Sequence, residues 1–264
     1  MNRKKRYPVN EEAVIEALSE ERLSSYHFFA SPKDKQSLIL SYDCMQLLSS
    51  YLFLPLEYLE VTLRNRIYRE LTRHYHWRGK KYKSIGKAEE WLDWMPTEPI
   101  TKKKVLRAKG ELKQRGLGNK PEEIISELSF GVWVSILKEH QSQNSQYHFW
   151  LYTQKRLFPN ANGTSQMKVY SELKEIRDIR NRLFHYEPIW NTHGTKNCCT
   201  AILEILHKYK KVMKVIRWLS FDVFNLLKRR RHERELAKDA LSYYRMFKMN
   251  RKLACFETVH KTVF

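Results

Sequence analysis

Three pairs in this sequence place an arginine five residues before a histidine: Arg22 with His27, Arg69 with His74, and Arg180 with His185. An arginine and a histidine that converge on one phosphate can cleave RNA without a metal ion. The ribose 2′-hydroxyl is then the internal nucleophile, the imidazole moves its proton, and the guanidinium balances charge building on phosphorus. DNA lacks that hydroxyl. Spacing alone selects none of the three, because 21 arginines and ten histidines among 264 residues give roughly one such pair by chance. Context sets the third apart. It lies in IRNRLFHYEP (residues 179–188), with Asn181 beside the arginine and Tyr-Glu-Pro after the histidine. On a helix Arg180 and His185 are about 140° apart while Asn181 and His185 are i,i+4 neighbours, which makes a polar edge rather than one stripe. The competing reading is structural: solvated Arg180 and Arg182, with His185 closing a helix end.

The elements that must hold these residues read as helices. Only eight glycines and eight prolines occur, 42% of residues are hydrophobic, and the stretches between breakers repeat at three and four residues rather than two. The expectation is an all-α fold forming one domain over residues 1–264. It would comprise a basic leader and docking helix (1–30), a core (31–220) and a basic C-terminal helical extension (221–264). Asn10 is placed to cap a helix running to about Arg22. Pro55 should divide or kink the long helical stretch between Ser31 and His76. Within it Leu56, Leu59, Leu63, Ile67 and Leu71 form one apolar stripe, with Arg64, Arg66 and Arg69 largely outside it. Residues 77–100, around KAEEWLDWM, read as an irregular connection. Pro121 opens the next helix, in which Gly131 marks a close approach or a break. Ser165 caps the helix that carries Arg180, and Pro188 ends it just beyond His185. A further helix runs from about Thr195 to Leu219.

The formal net charge is +20. A folded chain tolerates such self-repulsion readily when a polyanion or an anionic surface neutralises it, so RNA, DNA and membrane are the partner classes to weigh. No run of about 18 uncharged apolar residues occurs, and the basic start MNRKKRYPVNEE turns acidic where a signal peptide would turn apolar. The expectation is a cytoplasmic protein without a membrane partner. Cys44, Cys198, Cys199 and Cys255 form no CxxC pair, so no metal site or cofactor is expected and all four read as reduced thiols. Two basic tracts are candidates for tracking phosphates: Lys102, Lys103, Lys104, Arg107, Lys109, Lys113 and Arg115, and then Lys228, Arg229, Arg230 and Arg231. Solvated helix faces are their bland alternative. Phe184, Tyr186 and Trp190 are candidates for stacking on unpaired bases, or else fill the core.

ELSFGVWVSIL at 127–137 followed by IRDIRNRLFHYEPIW at 176–190 resembles the Abi-like (abortive infection, AbiD/AbiF-type) family of the HEPN superfamily. LEYLEVTLRNRIYREL at 56–71 resembles its early helix, and the likeness covers roughly residues 35–220 in order. The resemblance implies a HEPN-like helical bundle with additional helices. It further implies a homodimer in which an Arg-x4-His from each protomer lines a shared cleft, and metal-independent ribonuclease activity. It assigns catalysis to Arg180, His185 and Asn181, with His185 as general acid/base, Arg180 as stabiliser of the phosphorane and Asn181 orienting them. Tyr186 resembles the tyrosine of Arg-x4-His-Tyr toxin variants, where a nearby tyrosine can be a regulatory modification point. Glu60, Arg64 and Asn65 become supporting residues, or else an ordinary helix-surface ion pair. The implied function is an abortive-infection or toxin-type endoribonuclease that arrests growth in antiphage defence, restrained by a protein antitoxin or a bound noncoding RNA. The alternative is a non-catalytic protein that stably binds a structured RNA.

Overall fold

Asn10 begins the first helix of the computed structural model, which describes residues 9–30, 34–81, 99–118, 120–139, 149–195 and 197–250. Among the described residues every regular element is helical and there is no strand, so the chain is all-α. The helices are α1 (Glu11–Leu18), α2 (Glu20–Ser24), α3 (Lys35–Ser50), α4 (Phe53–Lys81), α5 (Pro99–Gln114) and α6 (Pro121–Glu127). They continue as α7 (Phe130–Glu139), α8 (Phe149–Leu157), α9 (Gln166–Phe184), α10 (Cys198–Leu219), α11 (Phe221–Arg229) and α12 (His232–Asn250), with a 3-10 turn at Ser25–Phe28.

Several breaks fall away from where breaker residues place them. The Asn10 side chain accepts from the Glu12 and Ala13 amides as expected, but the helix stops at Leu18. Ser19 adopts φ 70° and its hydroxyl accepts from Arg22, capping a second short helix instead. The break expected at Pro55 lies before it, at Tyr51 and Leu52, because Pro55 takes the third position of α4. There a missing N–H costs nothing, since the first four amides of a helix have no intrahelical partner. The 121–140 stretch breaks at Leu128 and Ser129, ahead of Gly131, whose added Cβ would meet Arg177 at an ordinary 3.7 Å. α10 starts at Cys198 rather than Thr195, because the Asn197 side chain caps it by accepting from the Thr200 amide at 2.9 Å. The irregular connection expected over residues 77–100 is shorter at both ends, because residues 77–81 extend α4 and Pro99 opens α5, while KAEEWLDWM and the QSQNSQ run lie outside the described residues.

The chain divides into two compact units. Unit 1 comprises the described residues of Met1–Phe53, Arg182–Lys210 and Arg230–Phe264. Its core gathers Tyr26, Phe29, Trp190 and Phe247, with the Phe29 and Trp190 rings 4.9 Å apart and edge-on and those of Phe29 and Phe247 5.3 Å apart. α12 belongs to this core, burying Leu236, Ala240, Tyr244 and Phe247. Cys44, Cys198 and Cys199 are buried in the interior, and burial pushes the Cys44 thiol up to about 12. Cys255 lies outside the described residues.

Unit 2 comprises the described residues of Leu54–Asn181 and Lys211–Arg229. The α4 stripe is buried as the spacing predicts, Leu56 being 3% exposed and Leu59, Leu63, Ile67 and Leu71 fully enclosed. Val105, Ala108 and Leu112 of α5, Val132, Trp133 and Ile136 of α7, and Val169, Leu173, Ile176 and Ile179 of α9 bury matching faces. The stretch Lys35–Arg73 is the one place among the described residues where length and hydropathy reach those of a membrane span. It is interrupted by the Tyr51–Leu52 turn, carries Arg64, Arg66 and Arg69, and buries its leucine stripe inside the protein.

One buried charge ties α9 to α10. Glu172, 2% exposed, accepts from Lys214 at 2.7 Å and Lys168 at 3.0 Å, with Lys211 at 3.9 Å. Burial pushes its carboxyl up, but the hydrogen bonds from Lys214 and Lys168 and the charges of Lys214 and Lys211 outweigh it and hold the pKa below the usual glutamate value. A carboxylate depressed in the folded state adds stability that is present above its unfolded pKa and lost as pH falls through its folded one. Glu172→Gln should therefore lower the unfolding free energy by about 2 kcal/mol at neutral pH. In urea melts taken down the pH scale, the gap between parent and variant should close below about pH 4, the ordinary range of a glutamate.

Candidate active site

Arg180 is placed by α9. The Ser165 hydroxyl accepts from the Lys168 amide at 3.2 Å and starts the helix, and the buried face through Ile176 and Ile179 sets its rotation. That rotation leaves the Arg180 side chain at the edge of the core, 27% exposed, with its Nε 3.6 Å from Glu60 Oε2. Glu60 is itself only 24% exposed. Its carboxyl is pushed up by burial, opposed by the charge of Arg180, a hydrogen bond from the Phe130 amide and the charge of Arg64. Phe130 is the first residue of α7, so its amide is one of the donors that a helix start leaves unpaired. One carboxylate thus joins α4, the start of α7 and α9. Arg64 also donates from Nε to Asn65 Oδ1 at 3.4 Å on the same helix, and Asn65 is exposed. The Glu60 pair is accordingly a tertiary contact and not only a pair along one helix surface.

The end of α9 is closed by a specific turn. The Tyr186 amide donates to Leu183 O at 3.0 Å and the Glu187 amide to Arg182 O at 2.9 Å, the pattern of a Schellman cap. Such a cap needs a left-handed residue, and here it is Tyr186, with φ 56°. Glycine takes that conformation freely, whereas a residue with a Cβ is strained by roughly 1–2 kcal/mol. Other contacts hold the turn. Arg22 donates from Nη1 to Tyr186 O at 2.6 Å, and Arg182 donates from Nη2 to Pro188 O at 2.6 Å while its Nε lies 3.3 Å from Glu187 Oε2. Trp190, four residues on, is locked in the aromatic core of unit 1. His185 directly follows the last helical residue, Phe184, and its side chain is exposed, as is that of Tyr186 at 64%. Asn181 is exposed near the end of the helix. The division between the units falls between Asn181 and Arg182, so the surroundings of Arg180 belong to unit 2 and those of His185 to unit 1.

The other predicted residues are placed as follows. On α5, Lys102, Lys103, Lys104, Arg107 and Lys113 are exposed and Lys109 is half-buried, and Arg115 is exposed in the turn just after it. Arg107 pairs with Glu111 and Arg115 with Glu127, each at 2.7 Å. Lys228, Arg229, Arg230 and Arg231 are exposed around the end of α11. Of the three aromatic stacking candidates, Trp190 is only 2% exposed and is removed from that role. Phe184 packs edge-on to Phe53 at 5.3 Å, and Tyr186 has the open ring. In the remaining Arg-x4-His pairs, Arg22 braces the Tyr186 turn while His27 is exposed, and Arg69 is exposed on α4. The bracing by Arg22 and Arg182 was not legible from spacing; the tight exit Tyr-Glu-Pro was its one sequence signal. No protein-family model, curated protein or solved structure matches the chain.

The left-handed Tyr186 has a direct consequence. Tyr186→Gly should raise the unfolding free energy by about 1 kcal/mol, the Cβ strain relieved less the extra unfolded-state entropy of glycine. Tyr186→Val should lower it. Denaturant melts of the two variants against the parent measure both.

Proposed function

We propose that this chain is a metal-independent endoribonuclease of the Abi-like, HEPN type. The observation that carries the reading is Glu60. The three sequence segments that bear the family resemblance meet at its carboxylate, which is paired with the arginine that the resemblance makes catalytic. An arginine fixed by a half-buried carboxylate, with about a quarter of its side chain open to solvent, is preorganised to meet charge that develops on a phosphate. An exposed imidazole directly after the end of the same helix, in the turn that caps it, is suited to general acid/base work. In this reading His185 takes the 2′-hydroxyl proton or supplies one to the leaving 5′-oxygen, Arg180 balances the phosphorane charge, and Asn181 orients the pair. The products are a 2′,3′-cyclic phosphate and a 5′-hydroxyl. The working form is a cytoplasmic homodimer acting on cellular or phage RNA to arrest growth, restrained by a protein or noncoding-RNA antitoxin. The exposed cations of α5 favour a second reading, a protein that binds a structured RNA stably without cutting it.

The test is purified, EDTA-treated protein incubated with total RNA. Cleavage to 2′,3′-cyclic phosphate ends is expected, falling at least about 100-fold in His185→Ala, the scale of a lost general acid/base. Intact RNA with retained binding selects the non-catalytic reading, and intact RNA without binding removes both. Glu60→Gln should lower the turnover number by up to about 100-fold, the effect of a misplaced charged group, with little change in RNA affinity.

A further inference from the structure

Beyond the two basic tracts, unit 2 carries a third cationic surface, part of it on α4 and part brought to it by the fold from α8. Arg66, Arg69, Glu70 and Arg73 lie on one face of α4 at positions i, i+3, i+4 and i+7, and Arg156 joins them from the last turn of α8. Glu70 is the only acid in the set, and its side chain is 8% exposed. Its Oε1 accepts from Arg73 Nη1 at 2.8 Å, and its Oε2, which has no hydrogen-bond partner among the described residues, lies 3.6 Å from Arg156 Nη1. Arg66 donates from Nη1 to Arg156 O at 3.0 Å, which ties the end of α8 to α4.

Four arginines and one glutamate give this face a formal charge of +3, with Arg73 and Arg156 on the carboxylate itself. Burial, and next the neighbouring charge of Arg69, push the Arg66 pKa down against the pull of Glu70, which marks the crowding. An arginine side chain does not relieve such crowding by losing its proton. The Arg73 and Arg156 side chains are 67% and 65% exposed, so each presents further N–H donors to solvent while one edge is held towards Glu70. A guanidinium fixed on one side and open on the other is the donor geometry that suits a phosphate.

We infer that Arg66, Arg69, Arg73 and Arg156 form a binding site for the phosphate backbone of RNA, with buried Glu70 as the positioning residue that orients Arg73 and Arg156. The inference rests on the RNA-directed reading above and adds to it a phosphate-binding surface on unit 2. Arg73 and Arg156 contact phosphates directly; Arg66 and Arg69 supply field.

The experiment uses the full chain carrying His185→Ala, so that binding is read without cleavage, and a labelled single-stranded RNA titrated at several KCl concentrations. Each phosphate contact on a single strand contributes about 0.7 to the slope of log affinity against log salt, so Arg73→Ala with Arg156→Ala should reduce that slope by about 1.4. Affinity should fall about ten-fold at moderate salt. A control that removes two exposed charges of unit 1, Lys238→Ala with Arg245→Ala, should leave the slope unchanged. Arg69→Glu, at an exposed position, tests the same surface if the double variant fails to fold, and should also weaken binding. Glu70→Gln, which raises the local charge to +4 and keeps an acceptor for Arg73, should bind RNA at least as tightly as the parent, whereas Glu70→Ala, which releases both arginines, should weaken binding despite the same gain in charge. A parent that binds RNA while the double variant or Arg69→Glu binds with the same slope and affinity overturns this site alone. A parent that binds no RNA overturns the RNA-directed reading with it.

Discussion

A carboxylate inside a strongly cationic protein is the interaction on which unit 2 depends. The chain has 49 lysines and arginines against 29 aspartates and glutamates, yet the two buried charged residues among the described ones are glutamates, Glu70 and Glu172. The asymmetry follows from side-chain length. Lysine and arginine can lie along apolar surface while their heads stay wet, so cations need not enter the core to reach an acid within it. A short acid at a helix interface is desolvated unless such heads come to it. Glu70 holds α8 against α4, Glu172 holds α10 against α9, and half-buried Glu60 joins α4 and α9 at the start of α7. Each draws in at least two cations, so these acids are junctions between helices as much as ion pairs.

The same arrangement explains why the remaining charge is a surface property. Lys168, Lys211 and Lys214 are partly neutralised by Glu172, with Lys211 also bonded to Glu175. The exposed face of α5 has fewer internal acids to meet its cations, and the arginines around Glu70 outnumber their one acid by three. Lengthwise repulsion on such faces is tolerable in salt, where the screening distance is about 10 Å, and is relieved more fully by a polyanion that replaces many counterions at once. Net charge therefore bears on what the protein associates with, while the placement of the acids bears on how it folds.

Periodicity made the long helices legible, because a stripe such as Leu56, Leu59, Leu63, Ile67 and Leu71 is a local pattern with a single low-energy way to be buried. The limits of α9 were legible for the same reason, through Ser165 and the Pro188 exit. Breaks decided by backbone tolerance were not. Pro55 costs nothing in a first turn, so the chain turns earlier, and Ser19 stops one helix by starting another. Trp190 reads in sequence like its neighbours Phe184 and Tyr186, and Tyr26, Phe28 and Phe29, far away in the chain, make it a core residue. For the candidate site, the local pattern offers Glu60 a partner in Arg64, four residues on, whereas the contact with Arg180 spans two helices and could be anticipated only through resemblance.

The turn after α9 shows how a strained residue can be the stable solution. Glycine at position 186 would satisfy the same two backbone hydrogen bonds with less strain, but it would present no side chain. The observed turn keeps a tyrosine there and offsets its conformation with Arg22 on the Tyr186 carbonyl, Arg182 on the Pro188 carbonyl and Trp190 in the core. Those contacts come from both sides of the turn, so they restrict the backbone of His185 as well, which lies between the last helical residue and the left-handed one. The strain at Tyr186 is thus the measure of how firmly the rest of unit 1 fixes the backbone of this turn.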